Sequence, residues 1–295
     1  MQVIKQKGTD VTFFSEKMLN VPILTKKRTV STTKTMPVVP KFPYQNHVFS
    51  TKGLTLWANM GREKVFRFKQ FAVLNDRTAM KVGTDGVLLG AWCPVEGAGR
   101  VLDVGTGCGV IALMIAQRNS QAIISGIDID QDAIDEARIN FADSPWGDRL
   151  TAIECDFNEM PSGDRYDLIV SNPPYFTDSL LPPDKSRTTA RHTQFLSYRQ
   201  LIDGATRRLA DNGSIALISP IEAEREIIEA ATFSSIPVKQ MTRVVSKSST
   251  APKRILWRLT HASIPYQEDT LTIADHNGQF TSEYIALTRD FYLKM

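Results

Sequence analysis

From Arg100 onward the apolar residues follow two alternating patterns. Short apolar runs of strand length are followed by longer segments whose apolar positions recur at helical spacing. Arg100–Gly105, Ala122–Asp128, Leu150–Asp156, Tyr166–Asn172 and Gly213–Ser219 read as strands. Between the first two, Val110-Ile111-Ala112-Leu113-Met114-Ile115-Ala116 is apolar on every side, which predicts a helix buried against a sheet. Asp130 caps a second helix, whose Ile134, Ala137 and Phe141 share one face. Phe195–Leu209 reads as a third helix. Ser219-Pro220-Ile221-Glu222 has the form of a capping box with proline at the first helical position, opening a helix to about Phe233. Val238–Val245 and Arg254–His261 then alternate as strands. Only Ser246–Pro252 joins them, so they are expected to pair antiparallel. Asp76–Trp92 is expected to cover one end of the sheet, and Tyr284–Met295 to form a short aromatic-rich packing helix. Strands alternating with helices predict an α/β fold: a Rossmann-like, doubly wound, seven-stranded, mostly parallel sheet with an antiparallel last strand pair.

Residues 1–59 break the pattern. They are rich in Thr, Ser, Lys and Pro and sustain neither period, as in Val30-Ser31-Thr32-Thr33-Lys34-Thr35-Met36-Pro37. We expect a flexible basic N-terminal extension over 1–59 and one folded domain over 60–295. Met60-Gly61-Arg62 has the look of a natural start, which makes the preceding segment an upstream extension of the reading frame. Net charge over the 295 residues is only +3, but it is uneven. Residues 1–69 hold thirteen Lys and Arg against three acids, so a basic front is joined to an acidic body. That distribution suits a polyanionic partner, and equally a solvated tail. No apolar run approaches the ~18 residues that span a bilayer, and the first residues lack the apolar core of a signal peptide. Cys93, Cys108 and Cys155 show no metal-site spacing and fit reduced thiols. The expectation is a cytoplasmic, monomeric protein without metal or membrane attachment.

The chemistry is concentrated at strand ends. Asp103-Val104-Gly105-Thr106-Gly107-Cys108-Gly109 leaves the first strand as a glycine loop, and Asn172-Pro173-Pro174-Tyr175 ends the fourth. In such sheets ligands bind beyond the carboxyl ends of the strands. Gly105 and Gly107 let backbone approach a ligand closely. Asp128, ending the second strand, suits two ribose hydroxyls. These features would also serve a nicotinamide dinucleotide. However, the glycine spacing is G-x-G-x-G, not the G-x-G-x-x-G that seats a pyrophosphate. Asp103 would repel phosphates and welcome an ammonium such as that of S-adenosylmethionine. Asp156 is a candidate acceptor for the cofactor's adenine amine, with Phe157 against its face; a helix or turn cap is the alternative reading of Asp156. Lys81 and Thr84, in a Gly-punctuated stretch with Lys69 and Asp85, are candidates for the amino-acid end of the cofactor, or for a structural turn.

An exocyclic amine on adenine is a poor nucleophile because its lone pair is delocalised into the ring. The Asn172 side-chain oxygen and the Pro173 carbonyl can accept its two N–H bonds and draw the nitrogen toward tetrahedral geometry. The prolines stiffen that carbonyl, and Tyr175 offers a flat face on which a base can stack. Alone, a Pro-Pro pair after a strand is usually just a turn; the upstream glycine loop makes the chemical reading the stronger one.

Further motifs narrow the reading: Phe68-Lys69-Gln70-Phe71, Asn75-Asp76-Arg77, Ala79-Met80-Lys81-Val82-Gly83-Thr84-Asp85-Gly86, Leu88-Leu89-Gly90-Ala91-Trp92, Ser144-Pro145-Trp146 and the final Tyr284-x-x-Leu287-Thr288-x-x-Phe291-Tyr292-Leu293. With the Asn172–Tyr175 box they make residues 60–295 resemble the bacterial valine-tRNA adenine-N6 methyltransferases. The resemblance implies a class I methyltransferase fold and S-adenosylmethionine as cofactor. It implies a tRNA partner, methylated on the adenosine beside the anticodon. It assigns Asp103, Gly105 and Asp128 to the cofactor and Asn172–Tyr175 to the target base. Arg62, Lys64, Arg67, Lys69, Arg187, Arg191 and His192 are then candidate RNA contacts, though a solvated charge is the plainer reading of each arginine. Rival readings are methylation of a protein glutamine, methylation of DNA adenine, and a non-catalytic RNA-binding module on the same scaffold.

Overall fold

A computed structural model describes residues 65–161, 163–174 and 196–295. Residues 1–59, Arg62, Lys64, Tyr175, Arg187, Arg191 and His192 lie outside the described residues.

Eight strands form one sheet. In chain order they are β3 (Arg100–Val104), β4 (Ile123–Asp128), β5 (Leu150–Glu154), β6 (Tyr166–Ser171), β7 (Leu209–Pro220), β8 (Val238–Lys247), β9 (Arg254–Thr260) and β10 (Gln267–Ala274). Across the sheet the order is β10-β8-β9-β7-β6-β3-β4-β5. The strands from β7 to β5 run parallel, and β9 is inserted antiparallel between β7 and β8. The antiparallel last pair expected from the sequence is therefore β8 and β9. The eighth strand, β10, joins the edge parallel to β8 and was not expected. Its first four positions are exposed and Leu271 is the buried position, so it lacks the apolar signal of the interior strands. Before the sheet, β1 (Val65–Arg67) and β2 (Ala72–Leu74) form a hairpin closed by the Phe68 amide on Phe71 O. The Lys69 amide bonds Phe291 O and ties the hairpin to the C-terminal segment.

Alternation along the central strands supplies both cores. In β6, Leu168 and Val170 enter one core and Ile169 the other; in β7, Ala216 and Ile218 oppose Ile215 and Leu217. The first face is covered by α1 (Thr84–Trp92), α2 (Val110–Arg118), α3 (Gln131–Ala142) and α6 (Ser282–Thr288). The second is covered by α4 (Tyr198–Arg208) and α5 (Glu224–Phe233). α2 is buried from Val110 to Ala116, as its all-round apolar sequence predicts. α3 is capped by the Asp130 carboxylate on the Asp132 amide.

Ser219 does not cap a helix. Its hydroxyl is fully buried and accepts from Trp257 Nε1 at 2.9 Å, because the indole N–H inside the sheet's core needs a partner. The chain passes through a 3₁₀ turn, Ile221–Ala223, before α5 begins. The capping box appears instead at α4, where Ser197 and Gln200 bond reciprocally. Among the described residues no helix is long and apolar enough to cross a membrane.

Candidate functional site

The site begins where β3 turns into α2. Gly105, Gly107 and Gly109 all have left-handed φ, at 71°, 55° and 82°. At Gly109 a Cβ would also lie 2.4 Å from Phe141 Cε1, so α3 packs directly on the loop. At Gly105 and Gly107 a Cβ would meet no atom within 4 Å, so these two open a cradle in which backbone can approach a ligand. The loop is fixed from below. The Gly105 and Thr106 amides both donate to Ile127 O at 2.9 Å, and the Gly107 amide donates to Asp128 Oδ2 at 3.0 Å.

Asp128 ends β4 half-buried. Its second oxygen accepts the Asp130 amide at 3.0 Å. A carboxylate has about four lone-pair sites, which leaves acceptor capacity for a diol. Burial raises its pKa against the Asp130, Gly107 and Ile129 amides, which lower it. Asp103 is fully buried. Its Oδ2 accepts from Thr106 Oγ1 at 2.7 Å, and Thr106 fits over Gly126, where a Cβ would come within 2.6 Å of that hydroxyl. Asp103 Oδ1 has no hydrogen-bond partner. Burial pushes this carboxyl up to about 7, against the Thr106 hydroxyl and the Ala112 amide, which draw it down. Asp103 therefore supports the loop from beneath.

Two expected cofactor contacts also have structural partners. The exposed Asp156 accepts from the Asn158 amide at 2.8 Å, which is a turn cap. Phe157 is buried in the second core, its ring against Gly204 and under the Arg208 guanidinium at 5.1 Å. Leu201, Ile202 and Ala205 of α4 bury an apolar face in the same core, and the aromatic ring packs with them.

Asn172 follows β6, whose register pairs Ser171 with Val104 of β3. The same register sets Asn172 beside Gly105, so the glycine loop and the Asn172-Pro173-Pro174 turn are neighbours at the carboxyl edge. Ser171 Oγ donates to Val104 O at 2.8 Å and fixes this junction. Asn172 Nδ2 lies 3.6 Å from the Met80 sulfur, which brings the segment before α1 to the same place. Pro173 is buried; Tyr175 is next but one in the chain. Lys81 is exposed, and its ammonium closes its own loop on Asp76 O and Thr78 O at 2.8 and 3.0 Å. Thr84 opens α1, and Asp85 beside it pairs with Arg254 of β9 at 2.8 Å.

Two residues that organise this region escaped the sequence reading. Glu136 of α3 is fully buried and accepts the amides of Asp76, Arg77 and Thr78 at 2.7, 2.6 and 3.1 Å. Asn140, one turn later and also buried, bonds both Leu74 N and Leu74 O and donates to Cys108 O. Together they clamp the segment before Met80 to the glycine loop. Their signal was polar residues at i and i+4 beside the apolar stripe of α3, a spacing easily taken for solvent exposure.

A family model described as methyltransferase small domain matches residues 82–243. A Bacteroides fragilis protein named tRNA1(Val) (adenine(37)-N6)-methyltransferase is 44% identical over 233 residues, covering 78% of this chain and 98% of that protein. A Phocaeicola vulgatus protein of the same name is 46% identical over 230 residues, with the same coverage. An Aeromonas hydrophila protein of that name is 43% identical over 237 residues, covering 80% of this chain and all of the other. Among solved structures, a predicted O-methyltransferase from Agrobacterium tumefaciens aligns with a TM-score of 0.53 at 17% identity, over 70% of this chain and 96% of that one. This last likeness concerns the fold alone.

Proposed function

The chain belongs to the family of tRNA1(Val) (adenine(37)-N6)-methyltransferases, and from that premise we propose that it methylates N6 of the adenosine beside the anticodon of a valine tRNA, with S-adenosylmethionine as donor. The observation that carries the reading is the β3–β6 register, which sets the Asn172 turn beside the open glycine cradle. A donor-binding loop and an amine-binding turn must be neighbours for in-line transfer, and proximity of this kind accounts for much of such a rate.

The residues fit the donor. Gly105 and Gly107 leave room for its close approach, and Asp128 keeps acceptor capacity for its ribose. S-adenosylmethionine supplies an electrophilic methyl on a sulfonium. The Asn172 side-chain oxygen and the Pro173 carbonyl accept the two N–H bonds of the adenine amine and localise its lone pair. The Asn172–Met80 contact sets the plane of the amide. Tyr175 stacks on the extruded base. Lys81 and Thr84 border the donor's amino-acid end from the start of α1. Asp156 remains the candidate acceptor for the donor's adenine amine, and Phe157 beside it packs into the core.

We assign the catalytic unit to residues 60–295 and read residues 1–59 as an extension without a catalytic role. A chain beginning at Met60 is expected to keep cofactor affinity and turnover. The test of the function itself is nucleoside mapping of valine tRNA incubated with the protein and S-adenosylmethionine. One added methyl on the adenosine beside the anticodon is expected. Methylation of a glutamine-containing peptide with tRNA left unmodified would replace this reading with the protein-substrate one.

A further inference from the structure

The half of the sheet away from the glycine loop carries a groove of about 750 Å3 that shares Thr84, and no other proposed donor or amine contact, with the site above. It lies at the ends of β8 and β10 and the start of β9, where Val244, Ile273 and Arg254 line it. Because β9 begins opposite Pro220, the last residue of β7, the groove opens at the same carboxyl edge as Asn172. Its other wall is α1, through Thr84 and Asp85. The segment 80–85 thus touches Asn172 at one end and the groove at the other.

The lining is both aromatic and basic. Four of the ten most exposed large hydrophobic side chains among the described residues fall in it: Phe66, Phe280, Leu293 and Met295. Four basic side chains line it against one acidic one, and that one, Asp85, is already paired with Arg254. Flat apolar faces interleaved with cations suit single-stranded nucleic acid, whose bases stack while its phosphates pair with Lys and Arg. Duplex RNA offers no splayed bases to such a surface. An acidic peptide would use the cations and leave the aromatic faces idle. The volume lies within the ~300–1,000 Å3 that encloses compact ligands, enough for bases to enter.

We propose that this groove binds the single-stranded part of the anticodon loop, with Phe280 and Phe66 stacking bases and Arg67, Lys253 and Lys294 holding phosphates. The inference rests on the tRNA reading above and adds where the nucleotides flanking the target adenosine lie. They run from the Asn172 turn past the start of α1 toward the C-terminal segment.

The test is fluorescence anisotropy of the full-length protein with an unmodified valine anticodon stem-loop RNA, over a salt series. Phe280→Ala, whose side chain is half exposed, should weaken binding roughly 5- to 100-fold at fixed salt. Lys253→Ala and Lys294→Ala should each weaken it and reduce the slope of log affinity against log salt by about 0.7–0.9. S-adenosylmethionine affinity should not change in any of the three. The lysine substitutions, on exposed side chains, keep the test intact if Phe280→Ala misfolds. Wild-type affinity and salt slope in the variants would overturn the proposal while a methylating wild type left the function standing. Unchanged RNA affinity together with a lower oligomeric mass would give the groove to a second copy of the chain. A wild type that neither bound nor methylated RNA would bring down the function first.

Discussion

The two halves of this sheet are built in opposite ways. Around β3, β4 and β5 nearly every polar group is committed inside the protein: the loop amides to Ile127 O and Asp128, Thr106 to Asp103, Glu136 and Asn140 to backbone. Around β8, β9 and β10 the carboxyl edge is open, and aromatic and basic side chains line a groove. A rigid, internally bonded half suits a small donor that must be held in one geometry. An open half suits a larger substrate held by stacking and charge, which tolerates movement. Asn172 stands at the junction, just past the end of β6, the strand between them.

The strongest way to break this division is Asn172→Ala. Its acceptor contact strengthens as the amine changes geometry, so kcat should fall by about 10²–10³-fold with cofactor affinity unchanged in calorimetry. Parallel loss of both would mean that the halves are not separable at this residue. Glu136→Ala should come next. It leaves three backbone amides without their acceptor, at a cost of about 2–4 kcal/mol in urea unfolding. A change below ~1 kcal/mol would show that water satisfies those amides and that the clamp on the segment before Met80 is weak.

Asp128→Ala tests the rigid half alone. Cofactor binding should weaken by about 1.5–3 kcal/mol, while RNA affinity measured without cofactor stays at the wild-type value. The smallest effect concerns pH. Asp103 has its pKa raised to about 7 by burial, so at lower pH it is largely neutral. A cationic donor drawn near it favours the ionised form. Cofactor affinity should therefore rise with pH up to about 7 and level off above, by no more than tenfold per unit. Asp103→Asn should flatten the profile. A wild-type profile without slope between pH 5 and 7 would confine Asp103 to supporting Thr106.

The residues by themselves determined the doubly wound sheet, the positions of the interior strands, the glycine loop, Asp128 and the Asn172 turn. Each is a local pattern: period-two and period-3.6 apolar spacing, glycines that free φ, prolines that stiffen a turn, and each pattern is carried by residues within a short window. What only the tertiary structure decided joins residues far apart in the chain. Asp103 faces inward because Thr106 and Gly126 close over it, and Phe157 is core because α4 packs on it. Ser219 serves Trp257 rather than a helix end, since the buried indole N–H, 38 residues away, needs its hydroxyl more than an exposed turn does. Glu136 and Asn140 act across about 60 residues, and the edge strand β10, exposed at its first four positions, has too little apolar alternation to be read. The groove gathers Phe66, Lys253, Phe280 and Lys294 from both ends of the fold. No window of sequence contains them together. Only the closing of the sheet edge, with the hairpin and the C-terminal helix packed against it, brings them to one surface.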